Sequence, residues 1–236
     1  LMKRTHGHYP APLEALRTVR ANDRRSYVPA MKREREAFAR LAVSPSAKRM
    51  IALFFTGEAL KKEHRADVRP ITMAGVLGAG KMGGGIAWCI SNADIPVRMK
   101  DINWDAVGKG NAAVSDMYRD AVRVKKLSVR EAGLKIHRVS GAVDYSGFAG
   151  ADIVIEAVVE DADIKMRTFR ELERIVRPDA IIATNTSSLS VDALAAALDH
   201  PERFVGFHFF NPVNRMPLIE VVPGMRTSEE VLARTV

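Results

Sequence analysis

Between residues 73 and 222, short apolar runs alternate with stretches whose apolar residues recur at helical spacing. Residues 73–77, 95–100, 136–139, 152–157, 180–184, 204–207 and 218–222 read as strands. Residues 83–92, 104–127, 164–176 and 191–198 read as the helices between them, and Ser228 as the cap of a closing helix. The strands are nearly continuous in apolar character, which is the pattern of strands covered on both faces. Alternation of such strands with helices predicts a parallel, doubly wound α/β sheet. Along 104–127 the predicted inner face is Val107, Val114, Met117, Ala121 and Val124, and along 164–176 it is Phe169, Leu172 and Ile175.

Residues 1–69 carry no strand pattern. Apolar spacing predicts helices over 13–22 and 31–41. A third begins at Ser44-Pro45-Ser46, with Met50, Ile51, Phe54 and Phe55 as its apolar stripe and Pro45 in the first helical position. A charged linker, EALKKEHRADVRP, closes the segment at Pro70. The expected organisation is a helical linker over 1–69 and a nucleotide-binding-type α/β domain over 70–236.

The stretch from Ile71 to Asp101 sharpens that expectation. An apolar strand runs into Gly78-Ala79-Gly80-Lys81-Met82-Gly83, then a helix, then a second strand ending on Asp101. That order is the opening βαβ unit of a Rossmann-type dinucleotide-binding domain. Gly78 permits the sharp turn, Gly80 lets the backbone approach a pyrophosphate, and Gly83 lets helix and sheet pack closely. The phosphates would sit at the helix N-terminus, beside Lys81 and Met82, where free N–H groups favour anions. Asp101 lies 23 residues after Gly78, placed to accept from ribose hydroxyls and to repel a 2′-phosphate. The expected cofactor is therefore NAD.

Composition narrows the classes. The net charge is +8, and sixteen of the 36 basic residues fall within residues 1–70 against seven acids, leaving the rest close to neutral. These charges are interleaved with apolar residues at helical spacing, and aromatics are few. A solvated helix face fits better than a nucleic-acid platform, so no nucleic acid is expected as a partner. No apolar run approaches the roughly 20 residues that span a bilayer. Cys89, the one cysteine, excludes a disulfide framework and fits a small residue packed in the first helix of a cytosolic protein. The six histidines and Cys89 show no ligand spacing, so no metal is expected. GxSxG and GxxxxGK[ST] are both absent, against acyl transfer and P-loop phosphoryl transfer.

Ligands of such sheets bind beyond the carboxyl ends of the strands. Glu160, Asn185-Thr186-Ser187-Ser188, and His208-Phe209-Phe210-Asn211-Pro212 follow three of the strands, and Glu220 interrupts the apolar LIEVV. Singly, His208 fits a core histidine, Ser187 a helix cap, and Glu220 a solvent-facing edge residue. Together they gather on one rim, and a histidine beside a carboxylate makes a general base with an orienter.

GAGKMGGGIA with Asp101, ADIVIEAVVED with Lys165, ATNTSSLS, and RFVGFHFFNPVNRMPLIEVV resemble, in order, the L-3-hydroxyacyl-CoA dehydrogenases over residues 70–222. GHYPAPLEALRTV, SYVPAMKREREAFARL and SAKRMIALFF resemble the segment that joins the hydratase and dehydrogenase parts of bacterial multifunctional fatty-acid oxidation proteins of the alpha-subunit type. The resemblance implies NAD-dependent oxidation of L-3-hydroxyacyl-CoA to 3-oxoacyl-CoA. It implies His208 as the base, Glu220 as its orienter, and Ser187 and Asn211 as donors to substrate oxygens. Glu160 and Lys165 would lie near the nicotinamide ribose. Implied partners are the 3-hydroxyacyl-CoA substrate and, in a full-length protein, a thiolase subunit and a second copy of the chain. The segment 103–135 matches weakly, and no CoA contact is assigned to Lys109, Lys125 or Lys126. The family's helical C-terminal domain lies past these motifs, so the expectation is a fragment that binds NAD but turns over substrate poorly, for want of a lid. A 3-hydroxybutyryl-CoA or hydroxy-acid dehydrogenase of the same fold, and a non-catalytic NAD-binding module, remain as alternatives.

Overall fold

The computed structural model describes residues 5–22, 26–63 and 68–236, with the side chains of 60–63 excepted. The chain divides into two compact units, residues 1–65 and 66–236. The first unit is helical: α1 (Pro10–Asn22), α2 (Tyr27–Ala42) and α3 (Pro45–Glu63). Each of α1 and α2 starts up to a turn earlier than apolar spacing suggests, because Pro10 and Pro29 are tolerated in a first turn. The Oγ of Ser44 accepts from the Ala47 amide at 3.2 Å, which starts α3 at Pro45. That helix runs on to Glu63, through half of what the sequence suggests is linker, while residues 64–67 and the basic start at Lys3 and Arg4 lie outside the described residues. The expected stripe of α3 is apolar but uncovered: Met50, Ile51, Phe54 and Phe55 are all exposed. Glu14 ties α1 to α2 through Arg40 at 2.6 Å.

The second unit carries β1 (Ala74–Leu77), α4 (Lys81–Asn92), β2 (Val97–Lys100), α5 (Trp104–Arg123), α6 (Val129–Ile136), β3 (Val139–Ala142), β4 (Ile153–Glu156), α7 (Ala162–Glu173), β5 (Ile181–Thr184), α8 (Val191–Ala195), β6 (Phe204–Phe209), β7 (Ile219–Pro223) and α9 (Glu229–Thr235). The seven strands form one sheet in the order β3-β2-β1-β4-β5-β6-β7. All neighbours are parallel except β6 and β7. Alternate residues of the central strands β1, β4, β5 and β6 feed two cores, while β2 contributes to one of them through Val97 and Met99. Val76, Met99, Ile155, Ala183 and Val205 pack under α4, α5 and α9, and Leu77, Val154, Ile182 and Phe204 pack under α7 and α8. Both faces of β1, β4 and β5 are covered, which is why these strands lack polar alternation, whereas β2 (VRMK) toward the sheet edge alternates buried Val97 and Met99 with half-buried Arg98 and Lys100. The strand order turns back at β1, so the crevice beyond β1 and β4 is the switch point of the sheet.

Three expectations need correction. The stretch 104–127 is not one helix followed by a strand at 136–139. Lys125 turns into the left-handed region at φ 58 and ends α5, and Ser128 with Glu131 forms a capping box that starts α6. Ile136 closes that helix and the strand moves to Val139–Ala142. On α5 the buried face includes Tyr118, whose hydroxyl meets the Oγ of Ser91 at 2.8 Å, while Val124 is exposed. On the 164–176 stretch Ile175 faces solvent, and Lys165 and Val176 join Phe169 and Leu172 inside.

The entrance to β1 is held by a carboxylate. Asp152, 1 % exposed, accepts from the Thr72 amide and hydroxyl, each at 2.7 Å, from the Met73 amide at 3.1 Å and from Arg177 at 2.5 Å. Burial alone would raise its pKa, but these donors outweigh it and hold the carboxyl well below the usual range. Asp152→Ala should leave four donors without their shared buried acceptor and lower stability by about 3 kcal/mol in urea unfolding. The wild-type advantage should be complete above the ordinary aspartate pKa and decline as pH falls below it.

Candidate functional site

Everything at the switch point depends on the turn from β1 into α4. Gly78 adopts φ 95, and a side chain there would meet the Ala157 carbonyl at 2.6 Å. A Cβ on Gly83 would lie 1.7 Å from the carbonyl oxygen of Gly78, so the first turn of α4 rests directly on the backbone of the turn. Nothing lies within 4 Å of the position a Gly80 Cβ would take, which leaves that stretch of backbone bare. Gly80 occupies the N-cap and offers no side-chain hydrogen bond to the first N–H groups of α4. Lys81 is exposed in that first turn, and Met82 packs against the core. An anion is the natural partner of such an end.

Asp101 follows β2 and braces the turn. One of its oxygens accepts from the Ala79 amide at 2.6 Å and the other from Ile102 at 2.7 Å. A cleft of about 500 Å³ opens beside it, with Gly78, Gly80, Asp101 and Val158 in its wall. The same cleft is lined by three residues that sequence reasoning missed. Lys100 lies over the ring of Tyr145, 4.7 Å from its centroid, and the Tyr145 hydroxyl donates to Glu171 at 3.2 Å. Burial and the Glu171 carboxylate push the Tyr145 hydroxyl up to about 12, so it stays a donor at neutral pH. No sequence spacing links residues 100, 145 and 171; only the fold brings them together. These features fit a dinucleotide: a bare glycine turn, free N–H groups, and an acid beside an open cleft.

Next to the cleft, Glu160 and Lys165 belong to a chain of charges. Lys165 is 1 % exposed, donates to Glu156 at 2.6 Å and forms an ion pair with Glu160 at 3.1 Å. Glu156 is fully buried and also accepts from the Val158 amide and the Thr184 hydroxyl, each at 2.8 Å. Glu160 accepts from the Thr186 hydroxyl, from the Ser187 amide at 3.1 Å and from the Ser188 hydroxyl at 3.2 Å. Burial alone would raise the Glu160 pKa, yet the Thr186 hydroxyl and the Lys165 ammonium outweigh it and bring it down to about 2. Glu156 was legible only as an acid closing the apolar run IVIE.

On the other side of the rim, His208 and Glu220 face each other in the antiparallel register of β6 and β7. His208 is largely buried, and its Nδ1 lies 2.8 Å from the Oε2 of Glu220. The Phe210 ring meets the imidazole edge-on at 4.6 Å. Glu220 therefore takes Nδ1–H, and Nε2 is the nitrogen left to accept a proton. Asn185 carries a structural bond, its Oδ1 accepting from the Phe209 amide at 2.8 Å, which locks the end of β5 to the end of β6. Ser187 and Asn211 are exposed on the loops leaving those strands, and the Asn211–Pro212 peptide is cis. None of His208, Glu220, Ser187 and Asn211 lines the 500 Å³ cleft. Cys89 is half-buried against the core, and burial raises its thiol pKa. Among the described residues no cluster of three or more His, Cys, Asp or Glu could hold a metal, and no helix is long and apolar enough to cross a membrane.

The Glu160 carboxylate should protect the Ser187 amide from exchange. Glu160→Gln should speed hydrogen exchange at Ser187 by about tenfold, read by NMR. In the wild type that protection should be complete above the ordinary glutamate pKa near 4.5 and fade as pH falls toward about 2.

Residues 73–236 match the family described as 3-hydroxyacyl-CoA dehydrogenase, NAD binding domain. A curated protein of Acinetobacter baumannii, named fatty acid oxidation complex subunit alpha, is 41 % identical over 239 residues, covering 100 % of this chain and 33 % of its own length. The chain thus spans about a third of the curated relatives it matches. Among solved structures, M. tuberculosis FadB2 superposes with a TM-score of 0.69 at 38 % identity, over 71 % of this chain and 59 % of its own. An (S)-3-hydroxybutyryl-CoA dehydrogenase of Ralstonia eutropha gives 0.67 at 37 %, over 70 % and 60 %.

Proposed function

Because the chain belongs to the 3-hydroxyacyl-CoA dehydrogenase NAD-binding-domain family, we propose that it is the NAD-binding part of an enzyme that oxidises L-3-hydroxyacyl-CoA to 3-oxoacyl-CoA in fatty-acid oxidation. The observation that carries this reading is the 2.8 Å contact between His208 and Glu220 on the same strand-end rim as the glycine turn. Binding a cofactor needs no such pair. NAD, when bound, supplies the acceptor for the hydride leaving C3.

The chain's own residues do the rest. The first N–H groups of α4 and the bare Gly80 backbone hold the pyrophosphate, with Lys81 adding positive charge. Asp101 accepts from the adenosine ribose hydroxyls and repels a 2′-phosphate. His208 takes the 3-hydroxyl proton on Nε2, while Glu220 holds the tautomer and stabilises the imidazolium that forms. Ser187 and Asn211, exposed on the adjacent loops, donate to substrate oxygens as negative charge develops. Glu160 and Lys165 border the nicotinamide ribose, although Lys165 reaches it only past its two carboxylate partners.

Residues 1–69 fit a linker from a preceding hydratase part. The relatives' name, fatty acid oxidation complex subunit alpha, supports assembly with a further subunit; we propose that this subunit is a thiolase, that a second copy of the chain is another partner, and that the assembly is cytoplasmic. The Ralstonia structure favours a second reading, a short-chain 3-hydroxybutyryl-CoA dehydrogenase. Chain length separates the two. The full-length protein should have a higher kcat/KM for C10 than for C4 substrates, and the reverse order would favour the short-chain reading.

In the full-length protein His208→Ala should lower kcat by about 10³-fold, within the usual range for a general base, and leave NAD affinity within about threefold. Loss of NAD binding in proportion to activity would argue against a base. Asp101→Ala should weaken NAD by about tenfold and narrow its advantage over NADP, read by titration of each cofactor.

A further inference from the structure

Glu156 is a fully buried carboxylate in a strand whose other residues are Ile153, Val154 and Ile155. Desolvating such a group costs several kcal/mol unless it is paired, and an apolar residue of similar size often serves stability as well or better. Its partners are unusual in where they lie. Val158 is on the loop that walls the cofactor cleft, Lys165 is on α7, and Thr184 ends the strand that leads into the Ser187 loop. Lys165 passes the connection on to Glu160, and Glu160 holds Thr186, Ser187 and Ser188. An unbroken chain of hydrogen bonds and one ion pair thus joins the cofactor wall to the serine loop, with Glu156 at its root.

We propose that Glu156 is a positioning residue of the dehydrogenase, setting Ser187 against the substrate through Lys165 and Glu160. The carboxylate itself touches neither substrate nor cofactor. It clamps the Lys165 ammonium at 2.6 Å, so that Lys165 stands beneath Glu160 and the Glu160 carboxylate points at the backbone of the serine loop. A neutral or shortened side chain at 156 releases Lys165, and the Ser187 hydroxyl loses its register with the 3-oxygen. The inference rests on the dehydrogenase reading above.

A double-mutant cycle on the full-length protein tests it, with NAD and an L-3-hydroxyacyl-CoA as substrates. Glu156→Gln should lower kcat by about tenfold with KM for the acyl-CoA changed less than twofold, and Ser187→Ala should lower kcat at least as much. If Glu156 acts through the serine loop, the double variant should be no worse than Ser187→Ala alone, within twofold. Losses that multiply, or an unchanged kcat in Glu156→Gln, would overturn the proposal, since a merely structural role predicts independent effects. Should Glu156→Gln fail to fold, Glu156→Asp keeps the charge, draws it back by one carbon and enters the same cycle. A wild-type protein without dehydrogenase activity would instead overturn the reading on which the proposal depends.

Discussion

The contact between Gly83 and the carbonyl of Gly78 governs how the second unit presents its switch point. With 1.7 Å between that oxygen and the place a Cβ would occupy, α4 cannot carry a side chain there and still begin where it does. Because it begins there, its free N–H groups emerge at the mouth of the switch point rather than behind it. Asp101 then meets the Ala79 amide, and the cleft takes its wall from the same turn. A single missing methyl group therefore positions a helix, an acid and a binding cleft together.

A second organising principle is charge kept out of water but never left alone. Asp152 at the amino end of β4 and Glu156 at its carboxyl end are both buried, and both are saturated with donors. The two ends put this device to different uses. Asp152 fastens the chain that leads into β1, whereas Glu156 gathers the loop at Val158, α7 at Lys165 and the end of β5 at Thr184. The three residues between them, Ile153, Val154 and Ile155, are all apolar.

Much of this was legible beforehand. The sheet, the glycine turn and Asp101 follow from local signals, since strand periodicity, glycine spacing and strand-end acids act over a few residues. The pairing of His208 with Glu220 was approachable because both sit at predicted strand ends, although their facing register needs the antiparallel turn of β7. The α6 capping box was present as Ser128 and Glu131, but β-branched residues around Ile136 suggested a strand instead. Tyr145 with Lys100 and Glu171, and Glu156 with Lys165 and Thr184, could not be read. Each set joins residues whose approach is decided by strand order, and no window of sequence encodes that order.

The cross-strand placement of His208 opposite Glu220 separates two tasks that many sites combine. A shift of one residue in the β6–β7 register would turn Glu220 to the opposite face and bring Val221 or Ile219 against the imidazole. The ladder, not the connecting loop, therefore maintains the pair. Within residues 210–218, Phe210 stays against the imidazole and Val213 in the core, which leaves exposed positions such as Arg215 and Met216 to vary while His208 stays where it is. Change at those exposed positions leaves the cross-strand pair intact.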